Sequence, residues 1–353
     1  MRHFRIAVPI LALGIAASIA LTARAVPVTV DARDPIPLRG TALDSDTGLR
    51  LLVPDNPPFV LDVDSGTAIP SSVPALSRGT LRILGVGGRA AVVVGSSVRK
   101  RADLYGVRGR DARVSKLGTG AHVWPAADGR SVWVQSVVSD SRCTLRRMGL
   151  EGRQLRAPRP FPCAVDSDPA AGWLGLVSRR TRVLDPQTGR LVLRTRWGVH
   201  AVAGTTLVLA GPATGVVTSS HQFTLLDATT RSERRFRWPS ILLYHDAPAV
   251  DPRGRFVALA FADPTTSFGG QVLDVWLVDT LTGKLTQLPG MPALVSLKRT
   301  SMAWTDDGRL VLLSGRNGRY VVAVWRLGQR RLALKTVQLA ELDAGSHSFA
   351  ILR

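Results

Sequence analysis

The chain has 353 residues, of which 45% are hydrophobic and 20% charged, and it carries a formal net charge of +20. That balance excludes disorder over most of the length and allows a sizeable core. Arginine supplies nearly all the charge, because lysine occurs only at Lys100, Lys116, Lys284, Lys298 and Lys335. Such a surface suits anionic lipid or acidic polymer, or is simply solvated. Its clusters, Arg99-Lys100-Arg101, Arg146-Arg147 and Arg231-Arg234-Arg235-Arg237, are not interleaved with aromatics, which argues against a nucleic-acid platform.

In chain order, residues 1–25 read first as a signal peptide or membrane anchor. Arg2, His3 and Arg5 precede an uncharged apolar run from Ile6 to Ala23, and Ala23-Arg24-Ala25 offers small residues for cleavage after Ala25. The same run is long enough to remain as a transmembrane helix with its basic flank inside. No cysteine follows it closely, so a lipoprotein anchor is excluded. Either outcome places the rest in the exported space or cell envelope. Residues 26–40 (VPVTVDARDPIPLRG) are proline-rich and read as a linker.

From Thr41 to Arg353 a glycine turn recurs before short β-branched runs, at Gly48, Gly88, Gly129, Gly172, Gly204, Gly254 and Gly308. PAADGRSVWV (125–134), AVDPRGRFVALA (249–260) and AWTDDGRLVLLS (303–314) show the pattern. The spacing is about that of one four-stranded propeller blade. A second series marks a hairpin later in each unit, at Gly66, Gly109, Gly152, Gly189, Arg231, Gly283 and Gln329. These turns need positive φ. Two interleaved series of seven predict an all-β, seven-bladed β-propeller of four-stranded antiparallel blades. SHSFAILR (346–353) is the candidate closing strand, pairing near Leu51–Val53, because an open ring would expose strand edges. Trp124, Trp133, Trp173, Trp276, Trp304 and Trp325 fall on strands and read as core.

Cys143 opens one strand and Cys163 follows the return strand, so both fall near one rim of the third blade. An exported chain with an even cysteine count favours a Cys143–Cys163 disulfide. Two cysteines with no nearby histidine cannot fill a zinc shell. No metal or cofactor is expected.

PAVDPRGRFVALAF (248–261) with DVWLVDTLTGKLTQLPG (274–290) resembles the repeats of TolB-type propellers and of the propeller domain of prolyl oligopeptidases. SMAWTDDGRLVLLSG (301–315) with VVAVWRLGQRRL (321–332) is a weaker copy, and the other five units match in outline only. The chain lacks the Gly-His and Trp-Asp dipeptides of WD40-like blades. The resemblance implies a propeller that binds a protein or, with a hydrolase domain, gates access to it.

No catalytic residue is assigned: G-x-S-x-G, H-x-x-x-H and P-loop patterns are absent. The connections between blades gather on one face, where propeller sites commonly lie. WPSILLYHDAP (238–248) enters the sixth blade and brings together Trp238, Tyr244, His245 and Asp246, a set suited to a protein hot spot or ligand mouth. The plainer reading is packing between blades. LVSLKRTS (294–301) enters the seventh blade, and Lys298 with Arg299 suits an anionic partner or plain solvation. The expectation is a non-catalytic envelope module that binds an envelope protein through its loop face. The alternatives are an enzyme lining the channel with His245, Asp246, Asp306 or Asp307, and a binder of anionic polymer or lipid.

Overall fold

The computed structural model describes residues 39–44, 46–75, 80–95, 101–139, 141–163, 174–176, 181–212, 222–237, 243–263, 271–291, 293–295, 301–316, 319–340 and 349–353. Every regular element among them is a β-strand. The apolar run 6–23, most of the stretch 26–40, Gly172 and Trp173 lie outside the described residues.

The strands form seven separate sheets arranged as a β-propeller. The first comprises Ala350–Leu352, Arg50–Val53, Phe59–Asp62 and Ala68–Pro70, and the second Thr80–Gly85, Ala90–Gly95, Ala102–Arg108 and Arg113–Gly120. The third comprises His122–Pro125, Ser131–Ser139, Arg142–Gly149 and Gln154–Phe161. The fifth holds Trp197–Ala203, Thr206–Pro212, Gln222–Asp227 and Glu233–Arg237. The sixth holds Leu243–Val250, Phe256–Asp263, Gln271–Asp279 and Leu285–Gln287, with Ala293–Val295 also on Gln271–Asp279. The seventh runs Ser301–Trp304, Arg309–Arg316, Arg319–Arg326 and Leu332–Gln338, with Gly40–Ala42 on its outer edge.

The fourth sheet differs. It has three described strands, Leu174–Leu176, Thr181–Leu184 and Leu191–Thr195. Among the described residues six sheets are therefore full blades, where seven are expected. The turn Asp185–Arg190 joins the second and third of the three strands, so among the described residues this sheet has no innermost strand. The residues from which the sequence would build it, 164–173, lie outside the described set.

Alternating strands put one side chain in two on each face, and each face packs against the next sheet. The core accordingly falls into separate clusters, each between neighbours. Leu51, Leu61, Val311, Tyr320 and Ile351 join the first and seventh sheets, and Val208, Phe223, Val257 and Phe261 the fifth and sixth. Trp124, Trp133, Leu145 and Leu184 hold the third to the fourth. Trp124, Trp133 and Trp325 are buried as expected, while Trp276 and Trp304 are partly buried.

Two strands, the first and last described in the chain, close the ring. The C-terminal strand pairs antiparallel with the first described strand of the first unit, Leu51 opposite Ile351 and Leu52 opposite Ala350, as the apolar SHSFAILR predicts. The N-terminal strand Gly40–Ala42 pairs in parallel with the last strand of the seventh sheet, Gly40 opposite Leu332. This second closure starts one residue inside the stretch read as linker. The Cys143–Cys163 disulfide is present, with Cα atoms 5.1 Å apart, joining the third sheet's third strand to the end of its fourth.

Candidate functional site

The first strands of the second and third, first and second, seventh and first, sixth and seventh, and fifth and sixth sheets lie against one another around the axis. Their following turns form a rim on one face. Gly48, Gly88, Gly129, Gly204, Gly254 and Gly308 all have positive φ there. Glycine also allows backbone to meet backbone between sheets. A Cβ on Gly87 would lie 2.5 Å from Gly129 O, and one on Gly254 would lie 2.6 Å from Gly204 N.

A cavity of about 390 Å³ opens in this rim, lined by Gly87, Gly88, Arg89, Asp128, Gly129, Arg130, Asp306 and Arg353. Arg353 is one of the residues that line it. Its backbone N–H donates to Gly88 O at 2.8 Å, and its guanidinium reaches Asp306 at 3.1 Å and Asp307 at 3.2 Å. The last residue thus ties the first, second and seventh sheets together. Arg89 donates to Gly129 O at 3.2 Å.

The rim acids are engaged by their own turns. Asp128 accepts from the N–H groups of Arg130 and Ser131, the Ser131 hydroxyl and Arg147 Nη2. Asp307 accepts from the Thr305 hydroxyl and Arg309, and also pairs with Arg326 and Arg353. Burial opposes ionisation at both. At Asp128 the Arg130 N–H, Ser131 and Arg147 outweigh it; at Asp307 Thr305 and the arginines do, so both carboxyls stay below the usual range. Carboxyls held this firmly ionised are poor proton donors at neutral pH.

The expected site residues do not form one described cluster. Trp238, Lys298 and Arg299 lie outside the described residues. Tyr244, His245 and Asp246 belong not to a loop but to Leu243–Val250, the innermost strand of the sixth sheet. Tyr244 pairs with Phe261 and His245 with Ala260, and the register then shifts before Ala249. Asp246, Ala247 and Pro248 fall in that irregularity, which is why the segment reads as a turn from sequence alone. Asp306 and Asp307 sit at the rim, on the face opposite the connections between sheets.

Histidines also occur on inner strands. His122 stacks on Trp124 with ring centroids 5.7 Å apart, and His200 meets Phe223 edge-on at 6.1 Å. Each of these ring contacts lies within a single sheet. No group of three or more His, Cys, Asp or Glu able to hold a metal occurs among the described residues.

One role for the arginines had no sequence signal. Several donate across sheet boundaries to neutral carbonyls: Arg50 to Arg110 O at 2.7 Å, Arg146 to Thr119 O at 2.7 Å, Arg231 to Val192 O at 2.9 Å and Arg309 to Thr47 O at 3.2 Å. Arg156 and Arg159 reach Gln187 O and Pro186 O of the fourth sheet. A guanidinium satisfied by a carbonyl keeps its charge, so part of the arginine excess is structural. Burial lowers the pKa of Arg146 and of Arg159, and every guanidinium of this set remains a cation.

No protein-family model matches the sequence, and no curated protein does. Solved structures share the fold. A candidate 6-phosphogluconolactonase from Bacteroides fragilis is 10% identical with a TM-score of 0.52, covering 88% of this chain and 99% of that one. A Synechocystis apocarotenoid oxygenase mutant is 13% identical at TM-score 0.49, covering 78% and 74%. Kluyveromyces lactis Hsv2 is 13% identical at 0.46, covering 87% and 99%. At 10% identity the likeness to the Bacteroides fragilis protein shows the β-propeller fold alone.

Proposed function

We propose that the protein is a non-catalytic binding module of the cell envelope that captures an envelope protein through the face where its sheets are joined. The observation that carries this reading is the state of the rim acids. Asp306 and Asp307, the carboxylates best placed for chemistry, are occupied by Arg353, Arg309, Arg326 and Thr305. They close the ring instead of presenting a free acid or base. A ring closed by two strand pairings, with a disulfide stiffening its third sheet, is a rigid mount for recognition loops.

On this reading the three-stranded fourth sheet is the seventh blade, and the TolB-like repeats of the sixth and seventh sheets reflect a protein-binding ancestry. Trp238 with Tyr244, His245 and Asp246, and Lys298 with Arg299, mark the approaches to two neighbouring sheets on the binding face. Export follows from residues 1–25, whether they are cleaved or kept.

The test is crosslinking capture from intact cells with wild type, Trp238→Ala and Lys298→Glu/Arg299→Glu. Point variants are needed because deleting residues 239–247 would remove much of the inner strand Leu243–Val250. One envelope protein captured by wild type and lost from the variants supports the reading. Equal capture by all three, or none by any, overturns it.

A second reading, binding of anionic polymer, is favoured by one feature. Arg182 and Arg194 lie directly opposite each other on adjacent strands of the fourth sheet, both exposed, with no carboxylate partner among the described residues. Like charges so placed repel, and a polyanion would relieve them. Salt-sensitive retention on a polyphosphate column, lost in Arg182→Glu/Arg194→Glu, would distinguish it.

A further inference from the structure

We infer that the hairpin tips of the sixth and seventh sheets form an edge that seats on an anionic lipid surface. The inference rests on the apolar run 6–23 remaining in the bilayer. Two of the most exposed large apolar side chains sit at these tips: Leu281 is 62% exposed in the turn after Asp279, and Leu327 is 50% exposed in the turn after Arg326. Both turns connect a third strand to a fourth, so they project from the same face of neighbouring sheets.

Cations frame them. Lys284, Arg330 and Arg331 are exposed and have no carboxylate partner among the described residues. The nearby acids are spent: Asp279 holds Arg255 at 2.9 Å and accepts from Leu281 N–H, while Asp307 holds Arg309 and Arg326. Leucine tips ringed by unpaired cations suit the headgroup boundary of an anionic leaflet.

The tether leaves the ring at this same edge. Gly40 pairs with Leu332, the residue that follows Arg330 and Arg331. The backbone just before it is fixed there too, since a Cβ on Gly290 would lie 2.6 Å from Arg39 O. Sixteen residues separate Ala23 from Gly40. They reach at most about 55 Å even when fully extended. A tether that short holds the tips at roughly millimolar effective concentration near the bilayer, so weak individual contacts suffice.

The test uses the full chain, native disulfide intact, in vesicles of phosphatidylcholine and phosphatidylglycerol at about three to one. Alkaline carbonate extraction from cells reports separately whether residues 6–23 hold the chain in the membrane. An environment-sensitive fluorophore is placed on Leu281→Cys, Leu327→Cys or Leu155→Cys, the last exposed on the outer strand of the third sheet, across the ring. A lipid-borne quencher is expected to quench positions 281 and 327 at least twofold more than 155. That difference is expected to vanish in pure phosphatidylcholine and in Lys284→Glu/Arg330→Glu/Arg331→Glu. Equal quenching at all three positions overturns the inference. So does quenching at 281 and 327 that ignores both lipid charge and the charge reversal.

Discussion

Arg353 Nη2 lies 3.2 Å from Asp307 Oδ1, although the two residues are 46 apart in sequence and belong to different sheets. Arg353 ends the strand that completes the first sheet, and Asp307 occupies the rim turn of the seventh. Asp307 is already fixed by Thr305 and Arg309 of its own turn, so it offers Arg353 a rigid partner. The closing strand is thereby fastened at its tip as well as along its ladder.

Two variants separate the tip from the ladder. Both ions of the pair are about two-fifths exposed, so Arg353→Ala should cost only about 0.5–1 kcal/mol. Removing residues 349–353 takes away four buried residues, Phe349, Ala350, Ile351 and Leu352, and exposes the Arg50–Val53 edge. Each large apolar side chain lost removes roughly 2 kcal/mol. Thermal melts should show a small shift for the point variant and no cooperative transition for the truncation. A truncated chain melting like wild type would show that the ring does not depend on this strand.

Rim glycines should differ according to what their missing Cβ would meet. Gly254 and Gly308 both have positive φ, +67 and +82. At Gly308 nothing lies within 4 Å of an added Cβ, so Gly308→Ala should cost about 1–2 kcal/mol of backbone strain alone. At Gly254 the Cβ would also meet Gly204 N at 2.6 Å and Ala203 C at 3.1 Å, which are backbone atoms. Gly254→Ala should therefore be the more destabilising in urea titrations by at least about 1 kcal/mol. Equal losses would mean that the two turns do not touch.

Turns such as these are legible in the sequence because their chemistry is local. Positive φ at Gly66, Gly109, Gly152, Gly189, Arg231 and Gly283 matches the second turn series, and the last member moves one residue, from Gln329 to Gly328. The pairing of Gly40–Ala42 with the seventh sheet is not legible in this way, because all three residues are exposed and make no apolar run. They are strand only because a neighbouring edge supplies the partner. Tyr244, His245 and Asp246 look like a loop for the reverse reason: Asp246 and Pro248 are turn formers absorbed into an irregular strand. The arginine clamps leave no sequence mark at all, since their acceptors are carbonyls that any residue carries.

Those clamps give a comparison between two arginines of one sheet. Arg146 Nη2 donates to Thr119 O of the second sheet at 2.7 Å and is partly buried, whereas Arg130 is exposed with no side-chain partner among the described residues. Hydrogen bonds to charged groups contribute about 1.5–3 kcal/mol. Arg146→Met keeps most of the apolar stem and loses the bond, so it should destabilise by roughly that amount. Arg130→Ala should stay within about 0.5 kcal/mol of wild type. Denaturant midpoints at fixed pH decide it, and similar losses at both sites would mean that the carbonyl bond contributes nothing.

Acid should loosen the ring through its turn aspartates. At Asp62 the Ser65 N–H leads in lowering the pKa, against burial; at Asp64 and Asp279 burial raises it but Thr47 and Arg255 respectively, with backbone N–H groups, outweigh burial. Asp128 and Asp307 behave alike. All five carboxyls are therefore lowered from 3.8 in the folded chain. The unfolded chain binds more protons than the folded one between those values, so stability rises with pH there. The contribution is fully present above the unfolded value and is lost as pH falls through the lower folded ones. Asp307→Asn removes one of the five groups and should flatten the acid limb while lowering stability at pH 7. Melting temperatures from pH 7 down to 2.5 test this, and an acid limb as steep in Asp307→Asn as in wild type would show that Asp307 gains nothing from the arginines that surround it.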